Sequence, residues 1–310
     1  MSEQANVDCA AGFGVRLIGC ADDAALPIGM HDYAESLGCC MLVDKTMFIA
    51  DVLDCDASVV VCCRPEGFGK SMNLSMLKAF LERPAVGRSG QRLFADAQIW
   101  DANSGRYRDE YACYPVISLD FSGAARCGAA VAGVVHNALS GECVRLLPLL
   151  EAPDLARDKV RHIERVARGA ASEDEVASVL GVLIELLEIA CDEQVVLLVD
   201  GYDAAWLGRA SARGASGADP AGLFDRVLFD AIVAARDSLR LTCLMGECPG
   251  PAEAALSLHG CSYCVATPLS AWCDRWFGFS DAEVQALLNH AGREEYLDDA
   301  REWLGGISVW

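Results

Sequence analysis

The residues Gly69-Lys70-Ser71 close the stretch Arg64-Pro65-Glu66-Gly67-Phe68-Gly69-Lys70-Ser71, which follows the apolar run Val59-Val60-Val61-Cys62-Cys63 and precedes a helical pattern. Backbone amides at a helix start are unpaired donors carrying partial positive charge, so a buried strand, a tight loop and a helix in this order make a phosphate cradle. Arg64, Gly67, Phe68, Gly69, Lys70 and Ser71 are therefore the candidate cofactor-binding residues. Gly69 lets the backbone come close to a ligand because it carries no Cβ. The Lys70 ammonium would reach the β and γ phosphates, and the Ser71 hydroxyl would ligate Mg²⁺. Such a site needs a second carboxylate near the metal. Val195-Val196-Leu197-Leu198-Val199 delivers Asp200 at the end of a second apolar run. Ser71 and Asp200 are the expected metal ligands, Asp200 through water. The cofactors implied are ATP and Mg²⁺.

Other constellations point less clearly to chemistry. Cys261-x-x-Cys264, with Cys248 and Cys273 nearby, has thiolates for zinc, but Cys264 falls in a strand-like run whose alternate side chains face opposite ways. Unpaired or buried thiols are the better reading. Asp44-Lys45-Thr46 stands before an apolar helical stretch, where an acid and a hydroxyl serve as a helix cap; the same residues would alternatively pack near a nucleotide base. Arg157, Lys159, Arg161, Arg165 and Arg168 form the best basic stripe, interrupted by Asp158 and Glu164, which reads as a solvated helix face.

Five short apolar runs must hold these groups: Ser58–Cys63, Pro115–Phe121, Val195–Asp200, Leu241–Met245 and Tyr263–Thr267. Helical patterns alternate with them, at Met72–Leu81, at Val176–Ala190 behind the capping pattern Ser172-Glu173-Asp174-Glu175, and at Leu223–Ala235. Gly208–Gly222 reads as a surface loop from its Gly, Ala and Ser content. The expected fold is α/β: a P-loop NTPase three-layer αβα sandwich with a mainly parallel five-stranded sheet, followed by the start of a helical region. The expected organisation is a loosely ordered leader (1–25), a nucleotide-binding domain (26–270) and a truncated helical C-terminal region (271–310).

Bulk composition restricts the function classes. Of 310 residues, 53% are hydrophobic, enough for a buried core, and no stretch reaches the roughly 20 apolar residues that span a bilayer. A net charge of −20 disfavours direct nucleic-acid binding, because an acidic body repels a phosphate backbone. The first residues, MSEQANVDCAAGFG, lack the basic start and apolar run of a signal peptide, and many of the 16 cysteines sit in apolar runs where they act as small hydrophobes. The expected compartment is a reducing cytoplasm.

At the same residues the chain resembles the AAA-ATPase-like family of bacterial P-loop proteins, over roughly 26–288. LPIGMHDY with VDKTMFIADVLD, RPEGFGKSMNLSML, YPVISLDF and FGFSDAEVQALL are similar to family segments in the family's order, and Arg64 in place of the first loop glycine is itself a family trait. The resemblance implies an ATP-binding sheet core, and many members continue into a nuclease-like domain that is absent from this sequence. The partners implied are a nucleotide and a protein partner or separate nuclease-like subunit. Several family positions are changed. Where the family reads D-E-Y-D, this chain reads Asp200-Gly201-Tyr202-Asp203, so the Glu that would activate water is missing. Met245 stands at the position of a polar γ-phosphate sensor, and Glu66 and Gly67 replace two loop arginines. The groups that hold a nucleotide persist while those that favour the transition state are depleted, so binding with slow or absent hydrolysis is expected. Asp203 or Asp120 would be the substitute base, and restoring Glu at 201 would raise turnover. The alternative is an interaction module that no longer binds nucleotide.

Overall fold

The computed structural model describes residues 15–19, 26–84, 93–124, 131–211, 220–270 and 272–304. Each of the five apolar runs forms a strand: β3 Val59–Cys63, β4 Val116–Asp120, β5 Val195–Asp200, β6 Leu239–Gly246 and β7 Tyr263–Ala266. They pair in the order β4-β5-β6-β3-β7, every pair parallel. Parallel neighbours need crossovers, and the intervening helices supply them while covering both faces.

The period of two along each strand divides the interior into two cores. Val59, Val61, Cys63, Val195, Leu197 and Val199 face one side. There they meet α5 Val131–Leu146, α6 Arg157–Ala167, α7 Glu173–Cys191, α8 Ala204–Ser211, α9 Pro220–Ala234 and α10 Gly250–Leu258. Val60, Cys62, Val196, Leu198, Cys243 and Met245 face the other side. They meet α1 Tyr33–Cys39, α2 Met47–Leu53, α3 Lys70–Leu81 and α4 Gln98–Asp101. This is the expected three-layer sandwich. The Ser172–Glu175 capping box forms in both directions at the start of α7. At the β4 edge, buried Glu142 accepts from the Ser118 amide (2.6 Å) and Arg145 donates to the Val116 carbonyl (2.6 Å), which satisfies backbone groups open to a foreign strand.

Two expectations about organisation change. Leu17–Gly19, placed in the leader, forms β1 and pairs antiparallel with β2 Met41–Val43, where Ile18 is buried. Residues 1–14 and 20–25 lie outside the described residues. Cys273, Trp276 and Phe277, beyond the expected boundary at 270, enter the same core as α3. Beyond them α11 Asp281–His290 and α12 Leu297–Leu304 are the helical region. The expected loop at 208–222 is partly helix, since α8 runs through Ser211 and α9 starts at Pro220; 212–219 lie outside the described residues.

Candidate functional site

Strand β3 ends at Cys63 and the chain turns through an exposed loop into α3. Gly67 (φ +84°) and Gly69 (φ +81°) take left-handed conformations that an L side chain resists. A Cβ built on either meets nothing within 4 Å, so the space above the loop is open to a ligand. The α3 amides begin there, behind Gly69. Lys70 folds its ammonium back onto the loop, donating to the carbonyls of Arg64 and Pro65 (2.8 Å each). These neutral acceptors hold the cation near the loop without cancelling its charge.

Strand β6 lies between β3 and β5, yet the first turn of α3 reaches across it to the end of β5. Ser71 Oγ donates to Asp200 Oδ2, and the positive charge of Lys70 is felt at Asp200. Burial pushes the Asp200 carboxyl above the ordinary aspartate range, the Ser71 hydrogen bond opposes that, and the neighbouring Asp120 charge adds to it. Asp120 is the residue in register with Asp200 on β4; it is exposed, and its Oδ1 accepts from the Ser122 amide (2.8 Å). Lys70, Ser71, Asp200 and Asp120 thus gather at the same sheet edge.

Three sequence-derived candidates sit elsewhere than expected. The Arg64 side chain is buried, with Nη1 donating to the Cys63 and Ala266 carbonyls (2.8 Å each) and its guanidinium 4.7 Å from the Phe277 ring centroid. It braces β3 to β7 and cannot touch a ligand with its side chain, which corrects its place among the cofactor contacts. Phe68 turns toward the C-terminal segment: Gly278 donates its amide to the Phe68 carbonyl (3.1 Å). Asp203 is buried, and its Oδ2 accepts from the amides of Glu247 (2.8 Å) and Cys248 (2.6 Å). A carboxylate so engaged anchors the turn after β6 and is not free to take a proton from water; Asp120 is the candidate base with access.

Gly201 also differs from expectation. Its φ is +67°, and a Cβ there would lie 2.5 Å from the Ser122 nitrogen and 2.7 Å from the Ser122 Cα. The family's Glu cannot be restored onto this backbone, so the expected gain in turnover from a single Glu substitution is withdrawn. Met245 is wholly buried in the second core, with its carbonyl accepting from Gly201 (2.8 Å).

The remaining constellations are structural. Asp44 Oδ1 accepts from the Thr46 amide (2.9 Å) and hydroxyl (2.6 Å), and its Oδ2 accepts from the Gln98 amide (2.7 Å), so it organises α2 and α4. In the basic stripe, Lys159 pairs with Glu185, Arg165 with Glu175 and Arg168 with Glu164, which spends much of its charge internally. Among the described residues no group of three or more His, Cys, Asp or Glu side chains is placed to hold a metal. Mg²⁺ asks less of a protein, since one or two oxygen donors suffice when phosphates and waters complete its shell. The Ser71–Asp200 pair, beside the open space over Gly67 and Gly69, fits that need. A cavity of about 400 Å³ bounded by Leu150, Leu155, Val160 and Arg161 shares no residue with this site. Among the described residues no helix is long and apolar enough to cross a membrane.

Sequence reasoning missed Asn73, Trp276 and Phe277 as neighbours of the loop. The signals were the blocks RPEGFGKSMNLSML, which contains Asn73, and FGFSDAEVQALL, which begins at Phe277; their likeness to family segments carries no statement of what they touch.

The family model described as Predicted AAA-ATPase matches residues 27–249, and the chain belongs to this AAA-ATPase-like family. The match ends before the 277–288 block. No curated protein and no solved structure gives a match.

Proposed function

We propose that this AAA-ATPase-like chain binds a nucleoside triphosphate, ATP by family expectation, together with Mg²⁺, and hydrolyses it slowly or not at all. The observation that carries the reading is the contact between Ser71 on α3 and Asp200 at the end of β5, with the Lys70 ammonium at the same edge. On this reading the amides from Gly67 to Ser71 receive phosphate oxygens, and Lys70 exchanges its two backbone carbonyls for them. Ser71 and Asp200 would hold Mg²⁺, Asp200 through water; bound there, the metal neutralises charge on the terminal phosphates.

The same geometry supports slow turnover. Gly201 offers no side chain, Asp203 is committed to two amides, and Met245 is buried away from the site. Loss of a positioned general base lowers a rate by roughly 10²–10⁴-fold, and Asp120 is the group proposed to recover part of that. The downstream reader of nucleotide state would be a protein partner or a nuclease-like subunit on a separate chain. The test is thermal unfolding with and without Mg-ATP, for wild type and Lys70→Ala. Ligand at about 100 times its dissociation constant stabilises by about 2.7 kcal/mol, so wild type should shift upward and the variant should not. An unchanged wild type would instead favour an interaction module that has lost the nucleotide.

A further inference from the structure

Four consecutive residues after the sheet, 275–278, each touch a different residue, three of which lie in the phosphate loop or the first turn of α3. The Arg275 carbonyl accepts from Lys45 Nζ (2.7 Å). The Trp276 carbonyl accepts from Asn73 Nδ2 (2.9 Å), while the Trp276 indole donates to Asp51 (2.5 Å). The Phe277 ring lies 4.7 Å from the Arg64 guanidinium, and the Gly278 amide donates to the Phe68 carbonyl (3.1 Å). Gly278 sits at φ +65°, and a Cβ there would come within 3.2 Å of the Phe68 ring.

Three of these anchors belong to the loop and its helix: Arg64 at the loop's start, Phe68 in its turn and Asn73 in the first turn of α3. The Arg64 contact has a further consequence. Its Nη2 is buried without a hydrogen-bond partner, so the face of Phe277 is part of what compensates the buried charge. The far end of the segment is tied as well, because Lys45 also reaches Glu283 (2.5 Å), which closes the capping box of α11 on Ser280. Exposed glycine-rich loops are ordinarily mobile, and ordering one on binding costs affinity. A segment tied to the loop at Arg64 and Phe68 and to α3 at Asn73 meets that cost before the ligand arrives.

We propose that 275–278 is a positioning strap for the phosphate loop, with Phe277 and Gly278 as its positioning residues, and that it ties the loop mechanically to α11. Its effect on nucleotide affinity rests on the function proposed above; its effect on the loop does not. The test is hydrogen exchange on the full chain without ligand, followed by Mg-ATP titration, for wild type, Phe277→Leu, Phe277→Tyr and Gly278→Ala. Phe277→Leu removes the aromatic face, Phe277→Tyr keeps it, and Gly278→Ala pushes directly on Phe68. The Asn73 amide, bonded to the Gly69 carbonyl (2.9 Å), should exchange about tenfold faster in Phe277→Leu and Gly278→Ala, while β5 amides do not change. Affinity should fall about tenfold in the same two variants and recover in Phe277→Tyr.

Unchanged Asn73 exchange in a folded Phe277→Leu or Gly278→Ala protein overturns the proposal. So does faster exchange with unaltered affinity in a protein whose wild type binds nucleotide. If Phe277→Leu does not fold, Gly278→Ala decides alone. If wild type binds no nucleotide, the function proposed above fails, and the exchange result by itself upholds or overturns the strap.

Discussion

Substituting Gly201 by alanine separates the backbone explanation of the lost Glu from a simple loss of side chain. Two costs add at this position. An L residue held in the left-handed region costs about 1–2 kcal/mol. The new Cβ would also lie 2.5 Å from the Ser122 nitrogen and 2.9 Å from the Phe121 carbonyl carbon, atoms of fixed backbone that no rotamer change relieves. Overpacking of this kind typically costs about 1–3 kcal/mol. The total of about 2–5 kcal/mol corresponds to a fall in unfolding temperature of roughly 3–8 °C for a chain of this size. Gly67→Ala is the control, because its φ of +84° carries the same strain with nothing within 4 Å. Urea unfolding of both variants should place Gly201→Ala below Gly67→Ala by about 1–3 kcal/mol. Gly201→Glu should be at least as destabilised as Gly201→Ala and should gain no turnover. Equal stability of the two alanine variants, or a stable Gly201→Glu with faster hydrolysis, would refute the reasoning.

Removing Asp203 should act on stability: Asp203→Ala strips two charge-assisted bonds from the turn after β6 and should cost about 2–3 kcal/mol in chemical denaturation. Burial raises the Asp200 carboxyl above its unfolded value, so in that window the folded state binds the extra proton and stability falls as pH rises. Magnesium needs the ionised form, so Mg-ATP affinity should rise with pH through the same window, beginning its decline at a higher pH than an ordinary aspartate would give. Asp200→Asn should bind weakly at every pH. At the β4 edge, Arg145→Met leaves buried Glu142 without its cation and should cost about 3–5 kcal/mol, read by thermal unfolding.

The sheet was legible because its strands are nearly uninterrupted apolar runs. Val195–Val199 reads as an interior strand from its β-branched, uninterrupted apolar run, and the acid that ends it then lies at the carboxyl end of the sheet. The loop was legible from Gly69-Lys70-Ser71 and the strand and helix around it. What sequence could not disclose is direction. Arg64 occupies a loop position and an arginine there suggests phosphate, yet β7 offers the Ala266 carbonyl and Phe277 offers a ring, and both lie inside. Asp203 looked like a spare carboxylate because its acceptor role depends on amides distant in the chain, Glu247 and Cys248. Gly201 looked like a missing side chain, and only the approach of Ser122 from the turn after β4 shows that the backbone itself differs. Each miss involves a contact between residues far apart in sequence, which local pattern does not encode.

Calorimetric titration of Mg-ATP into wild type, Lys70→Ala and Asp200→Asn tests the central geometry most directly. Loss of one charge-assisted phosphate contact should weaken binding by roughly 10–100-fold, so the account predicts one nucleotide per wild-type chain, that loss in Lys70→Ala, and loss of the magnesium dependence in Asp200→Asn. Isotherms that coincide for wild type and both variants would contradict it.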